Sequence, residues 1–243
     1  MRPVLESGWL EAFQRQMQSI APTLVALEKA THVIDAAMRN AEIMGQMGWT
    51  FPMNASLHEC VELLLVASEG PEATDAAFGA FYAENEKESL LLLLADLRQH
   101  PRLAEFGAVL EEVAFGLDHE KYRLAVTALV PMFEGVARRC WVDGFWQGAA
   151  RAKFFAEKLN TSAPESFDRI VWSATRAFVE RLYEKNFHGD PKPLFLNRHW
   201  ILHGRGPAAA SSVDALRLLQ AIHTVVSLAD EEARDARQAT EVE

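Results

Sequence analysis

The chain has 243 residues, 49% of them hydrophobic and 24% charged, which is enough for a sizeable core and unlike a disordered composition. Its formal net charge of −10 argues against a general nucleic-acid coat protein, and no apolar run approaches the ~18 residues of a membrane span. Cys60 and Cys140 lie 80 positions apart without a CxxC spacing, and no apolar signal core stands near the start, so free thiols and a cytoplasmic location are expected.

Apolar residues recur at helical spacing along nearly the whole chain, with no alternating strand pattern or hairpin turn, so an all-α helical bundle is expected. Trp9, Leu10, Phe13, Met17 and Ile20 form the first stripe. Pro22 suits the first turn of a second helix through Leu24, Leu27, Val33, Ile34, Ala37, Met38 and Ala41. Gly45, Gly48 and Pro52 interrupt the pattern around Trp49 and Phe51. Ser56 and Glu59 have the spacing of a capping box ahead of the apolar run 61–66. Gly70-Pro71 closes that helix, and helices over 72–83 and 86–97 follow. The stretch Gln99-His100-Pro101-Arg102 is the best internal boundary, dividing an N-terminal helical region, 1–100, from a second helical unit, 101–230.

Beyond it, 103–117 reads as a helix, and Asp118 can cap a long one to about Trp141 that Pro131 should kink or split. Helix continues over 143–159, and Thr161-Ser162-Ala163-Pro164 leads into another long helix from 165 to about 187. His188-Gly189-Asp190-Pro191-Lys192-Pro193 must be a loop. A short helix carries Arg198 to His203, Gly204-Arg205-Gly206-Pro207 stops it, and Ser211 or Ser212 caps a last helix to about Ala229. From Asp230 the chain is polar with a net charge of −4, and 231–243 reads as a frayed tail.

Charge is distributed unevenly over these elements. Residues 136–205 hold 12 Lys and Arg against 7 Asp and Glu, a local +5 that leaves −15 on the remainder. Chance variation of helix surfaces accounts for this, and so does a phosphate-compatible surface in the C-terminal half. Arg169, Arg176, Arg181 and Lys185 fit either an RNA path or a solvated helix face. Trp141, Phe145, Trp146, Phe154 and Phe155 fall at helical spacing and read as core or dimer contacts. His32, His58, His100, His119 and His223 have no partner pattern, and no glycine-rich phosphate loop, zinc spacing or nucleophile motif occurs, so no cofactor is expected.

Chemistry concentrates in Asn197-Arg198-His199-Trp200-Ile201-Leu202-His203-Gly204. Asn197 can cap the turn by accepting a backbone N–H. Arg198 and His203 then stand ~140° apart around the helix axis, at ~100° per residue, and can flank one ligand. His199 and His203 are four apart on one face, the spacing of a helical metal pair. Trp200 stands where metalloprotease helices carry glutamate, and a third ligand would have to be Glu134 or His188.

With this string, and with the stretch from Tyr122 through Phe133-Glu134-Gly135 ahead of it, the chain resembles the HEPN family of helical domains. The family motif is an arginine, a polar residue, three to five residues and a histidine, and Arg198 to His203 fits its shortest form. The wider pattern is similar to a group of bacterial and phage members, and the resemblance covers roughly residues 103–229, preceded by additional N-terminal helices of no named activity. Many members are metal-independent ribonucleases or nucleotide-binding modules, and two protomers commonly pair around one composite cleft.

The resemblance therefore implies a homodimer that meets RNA or a nucleotide, with a ribonuclease of the toxin or antiphage-defence kind as the leading expectation; DNA and membranes are not expected partners. Arg198 would hold the phosphate, and His203 would be the general acid or base. His199, Asn197 and Glu134 would support them. Glu134 could orient Arg198 or His203, or simply pair with Arg138 at i+4. Two other readings stay open: a non-catalytic interaction module with Arg198 closed against Glu134 and His203 facing the core, and a helical metalloprotein.

Overall fold

The computed structural model describes residues 29–141, 148–163, 166–185, 191, 193, 195–204 and 210–242, and no strand occurs among them. The elements are α1 (Lys29–Gln46), α2 (Leu57–Val66), α3 (Pro71–Gln99), α4 (Gly107–Asp118), α5 (Tyr122–Cys140), α6 (Gly148–Thr161), α7 (Phe167–Leu182), α8 (Arg198–Leu202) and α9 (Ser212–Val242). Short 3-10 turns at Ala67–Glu69 and Pro101–Phe106 join α2 to α3 and α3 to α4. The all-α architecture read from the periodicity is what the chain adopts.

Local chemistry places these boundaries. The Ser56–Glu59 capping box forms in both directions, with the Ser56 N–H donating to Glu59 at 2.7 Å and the Glu59 N–H donating to Ser56 at 3.3 Å. Within α3, Asn85, Glu86 and Lys87 take positive φ of 48°, 56° and 65°, which breaks the element into the two helices that the pattern suggests. Ser166 caps α7, and Ser211 caps α9 by accepting from the Asp214 N–H at 3.2 Å.

One buried cluster draws on every helix except α8, whose Ile201 packs against its edge. The break at His100-Pro101 is therefore a turn within a shared core, with Leu93 and Leu97 before it and Leu103 and Leu110 after it in the same cluster. Gly45 shows how closely the two parts of the chain meet: a Cβ there would lie 2.2 Å from the Ala174 carbonyl oxygen and 2.7 Å from the Ala177 Cβ, so α1 packs backbone-close on α7. A buried polar network fixes residues 49–52 to α9. The Tyr82 hydroxyl donates to Gln220 at 2.6 Å, the Gln220 amide donates to the Thr50 carbonyl, and the Thr224 hydroxyl lies 2.9 Å from that of Thr50.

The same region anchors the chain that leads into α8. Arg217 is buried, 2.5 Å from Asp75 and 3.1 Å from Asp214, with its guanidinium over the rings of Trp49 and Phe195. Phe195 also meets Phe178 edge-on at 6.5 Å. It fills the space beside Gly48, where a Cβ would sit 1.9 Å from the ring and where φ is +94°. Leu196 follows into the core. A helix of only five residues has no stability of its own, so this anchoring holds α8 in place.

Several boundaries differ from expectation. Asp118 ends α4 instead of capping α5, because the chain turns through Glu120 at φ +56° and restarts at Tyr122. Pro131 does not split α5. Thr127, whose carbonyl loses its helical partner to Pro131, is exposed on the same solvent face, where water can satisfy it. Helix α7 ends at Leu182, earlier than the periodicity suggests, and the stretch 186–190 lies outside the described residues. The last helix does not stop near Ala229, and residues 231–242 are helical, not a frayed tail. Asp230 is tied to Arg102 at 2.6 Å and Glu232 to Lys158, which gives this polar turn tertiary partners. The expectations for residues 1–28, Phe145 and Trp146 fall outside the described residues. Trp141, Phe154 and Phe155 are core, in an aromatic cluster with Trp172.

Candidate functional site

Helix α8 begins at a fully used cap. Asn197 is buried at 3% exposure, its side-chain oxygen accepts from the Trp200 N–H at 3.0 Å, and its amide donates to the Glu184 carbonyl at 2.9 Å. One side chain thus starts α8 and ties it to the end of α7. At the other end the His203 N–H donates to the His199 carbonyl at 3.2 Å, and Gly204 leaves the helix at φ +58°.

Arg198 projects from the first turn onto α5. Its Nε donates to Glu134 Oε2 at 2.6 Å, while Glu134 Oε1 accepts from Arg138 at 3.1 Å. The two roles weighed for Glu134 are therefore both filled, one by each carboxylate oxygen. This hydrogen bond raises the Arg198 pKa above the ordinary guanidinium range. Its side chain is 23% exposed and that of Glu134 15%, so the pair is neither a free surface contact nor fully desolvated. Beyond Nε, the Arg198 nitrogens have no hydrogen bond to another described residue.

Two further groups belong here that sequence spacing did not single out. The Tyr183 ring, at the end of α7, meets two guanidiniums, that of Arg151 of α6 at 4.7 Å and that of Arg198 at 5.5 Å from its centroid. Burial, with Glu134 nearby, raises the Tyr183 phenol pKa and keeps it neutral, against the pull of Arg198 and Arg151. Burial lowers the Arg151 pKa, and the neighbouring Arg198 charge adds to that effect. No periodicity links 151, 183 and 198, which meet only because α6, α7 and α8 converge. Tyr183 falls inside the helix expected over 165–187, so nothing in its spacing set it apart.

The histidines occupy the outer edge. His199 and His203 stack with ring centroids 5.6 Å apart and planes 15° from parallel, as their i,i+4 spacing requires. His203 is exposed and so does not face the core. Of the five residues singled out from the sequence, Asn197, Arg198, His199 and His203 thus belong to α8 and its caps, and Glu134 joins them through its bond to Arg198. Arg176 and Arg181 have acidic partners, Glu42 at 3.1 Å and Glu184 at 2.5 Å, so they do not form a row of unpaired cations. Among the described residues no group of three His, Cys, Asp or Glu is arranged to hold a metal ion. No helix among them is long and apolar enough to cross a membrane. Comparison with models of known families, with curated proteins and with solved structures gives no match to this chain.

Proposed function

We propose that the α8 end of the bundle binds the phosphodiester backbone of RNA and cleaves it without a metal, an activity suited to a toxin or defence nuclease of HEPN type. The observation that carries this reading is the pairing of roles on one short helix. Arg198 is oriented by Glu134 through Nε alone, and an exposed His203 stands five residues on, stacked against His199. A guanidinium held in this way keeps its terminal N–H groups for a phosphate. In the reaction, the imidazole of His203 removes the proton of a ribose 2′-hydroxyl. The oxygen attacks the adjacent phosphorus, the bond to the 5′-oxygen breaks, and that oxygen takes a proton from water as it leaves. The product is a 2′,3′-cyclic phosphate. Arg198 offsets the charge of the crowded intermediate. Arg138 and Arg151 add positive potential around it, and His199 restricts the rotation of the His203 ring. In the same reading two protomers bring their α8 ends to one cleft, with Leu202, a large apolar side chain left 39% exposed beside the histidines, at the contact.

The Glu134 contact itself favours a second reading, in which Arg198 is a structural ion pair and the chain is a binding or interaction module. Incubation of purified protein with labelled RNA in excess EDTA separates the two. Wild type should release fragments ending in a cyclic phosphate, and Arg198→Ala and His203→Ala should each lose at least a hundredfold in rate. Absence of cleavage over a broad set of RNAs, or cleavage undiminished in folded His203→Ala, would leave only the module.

A further inference from the structure

A second cationic surface lies where the 3-10 turn after α3 meets the C-terminal half of α9. A groove of about 600 Å3 is lined by His100, Pro101, Arg102, Asp230, Arg234, Arg237 and Gln238. The α9 residues among these are spaced i, i+4, i+7 and i+8, which at ~100° per residue keeps them within about 100° of arc. The acidic residues of the same stretch, Glu231, Glu232 and Asp235, fall on the remaining circumference, about 100–200° from Asp230. Glu232 is engaged there by Lys158. Of residues 230–238, the groove therefore receives both arginines and one carboxylate, Asp230.

One carboxylate faces them, and it is already committed. Asp230 Oδ1 accepts from Arg102 Nε at 2.6 Å, its Oδ2 lies 3.2 Å from His100 Nε2, and Arg102 also donates to the Ala229 carbonyl at 3.3 Å. Asp230 thus aims Arg102 without neutralising the other two. Arg234 has no hydrogen bond or ion pair to another described residue, and Arg237 donates only from Nε to the Ala233 carbonyl, at 3.1 Å. Burial pushes the pKa of Asp96, the next carboxylate near His100, upward against the pull of His100. Arg234 and Arg237 on the α9 wall, with Arg102 on the adjoining turn, favour an anion that carries more than one charged group. From Asp230 to Arg237 the wall rises about 10 Å at ~1.5 Å per residue, longer than a single phosphate group and comparable to a linear triphosphate.

The geometry points to a binding site for a linear polyphosphate chain, free or carried by a nucleotide, on the face formed by Arg102, Arg234 and Arg237. It is separate from the α8 end and does not depend on the cleavage proposed there. The full chain would be titrated calorimetrically with sodium tripolyphosphate, ATP and inorganic phosphate, at low salt and without divalent cations. Both polyphosphates should bind at least tenfold more tightly than phosphate. An Arg234→Ala/Arg237→Ala double variant should lose at least tenfold, and the same loss should appear in an Arg198→Ala background, where α8 no longer offers a guanidinium to phosphate. Arg237 is exposed and Arg234 half-buried, so the variant should keep the wild-type helical signal; Arg237→Glu alone gives an independent check. ATP tighter than tripolyphosphate would identify a nucleotide, and equal affinities a free chain. Loss of binding in Arg198→Ala but not in the double variant would assign the anion to α8 and overturn the proposal. So would binding equal in all variants, phosphate as tight as tripolyphosphate, or no binding by wild type.

Discussion

Removing Glu134 and removing Arg198 should have unequal effects on stability, although they delete the same hydrogen bond. In Arg198→Ala the carboxylate keeps Arg138 at 3.1 Å, so no charge is left alone. In Glu134→Ala the half-buried Arg198 loses its hydrogen-bonding partner while the Arg138 and Arg151 charges remain near the same tyrosine. Exposed ion pairs contribute roughly 0.2–1 kcal/mol and the loss of one buried partner costs about 3–5 kcal/mol. With side chains 23% and 15% exposed, this pair falls between the two ranges. Glu134→Ala should cost about 2 kcal/mol and Arg198→Ala about 1 kcal/mol, with a coupling of about 1 kcal/mol in the double-mutant cycle. Urea unfolding of the four proteins measures this, since 2 kcal/mol moves the midpoint by about 0.7–1 M at a slope of ~2–3 kcal/mol/M. Arg198→Ala costing more than Glu134→Ala, or a coupling below about 0.3 kcal/mol, would refute the view that Glu134 chiefly orients a cation that has little other support.

Two more predictions concern the scaffold. Gly45→Ala should destabilise: the gain in helix propensity is at most ~1 kcal/mol, whereas overpacking costs ~1–3 kcal/mol. The obstructing atom is a backbone oxygen at 2.2 Å that cannot swing away, so a thermal melt should show a lower Tm. Burial pushes the His223 imidazole down to about 4, with His100 adding to the effect. A histidine buried neutral binds fewer protons folded than unfolded, so its contribution is complete above the unfolded value near 6.5 and lost as pH falls toward about 4. At ~1.4 kcal/mol per unit that is about 3 kcal/mol. Urea midpoints at pH 7, 5.5 and 4.5 should fall more steeply for wild type than for His223→Gln, and parallel profiles would contradict the assignment.

Helix existence was legible because burial follows the 3.6-residue period, and the capping box at Ser56 was legible because its chemistry is local. The candidate site was legible to the same depth. Asn197, Arg198, His199 and His203 lie within about two turns of helix, so their mutual geometry follows from spacing. Arg151 and Tyr183 were not readable, since they reach Arg198 only through the convergence of three helices. The end of α9 was misjudged for a related reason. Its polar composition predicts fraying, but Asp230 and Glu232 find Arg102 and Lys158, 128 and 74 positions earlier in the chain. Those long-range ion pairs leave no local signature.

The way Arg198 is bound bears on whether it serves only to hold the fold. A guanidinium whose sole task is structural gains most from a bidentate pair, using two parallel N–H groups against both carboxylate oxygens. Here Glu134 gives one oxygen to Arg198 and the other to Arg138, so a single carboxylate is shared between two cations. Arg198 itself makes no second hydrogen bond to a described residue, so its terminal N–H groups are not used up by the fold. An ion pair made through Nε alone orients a guanidinium without saturating it, and the stacked histidines stand on the same short helix.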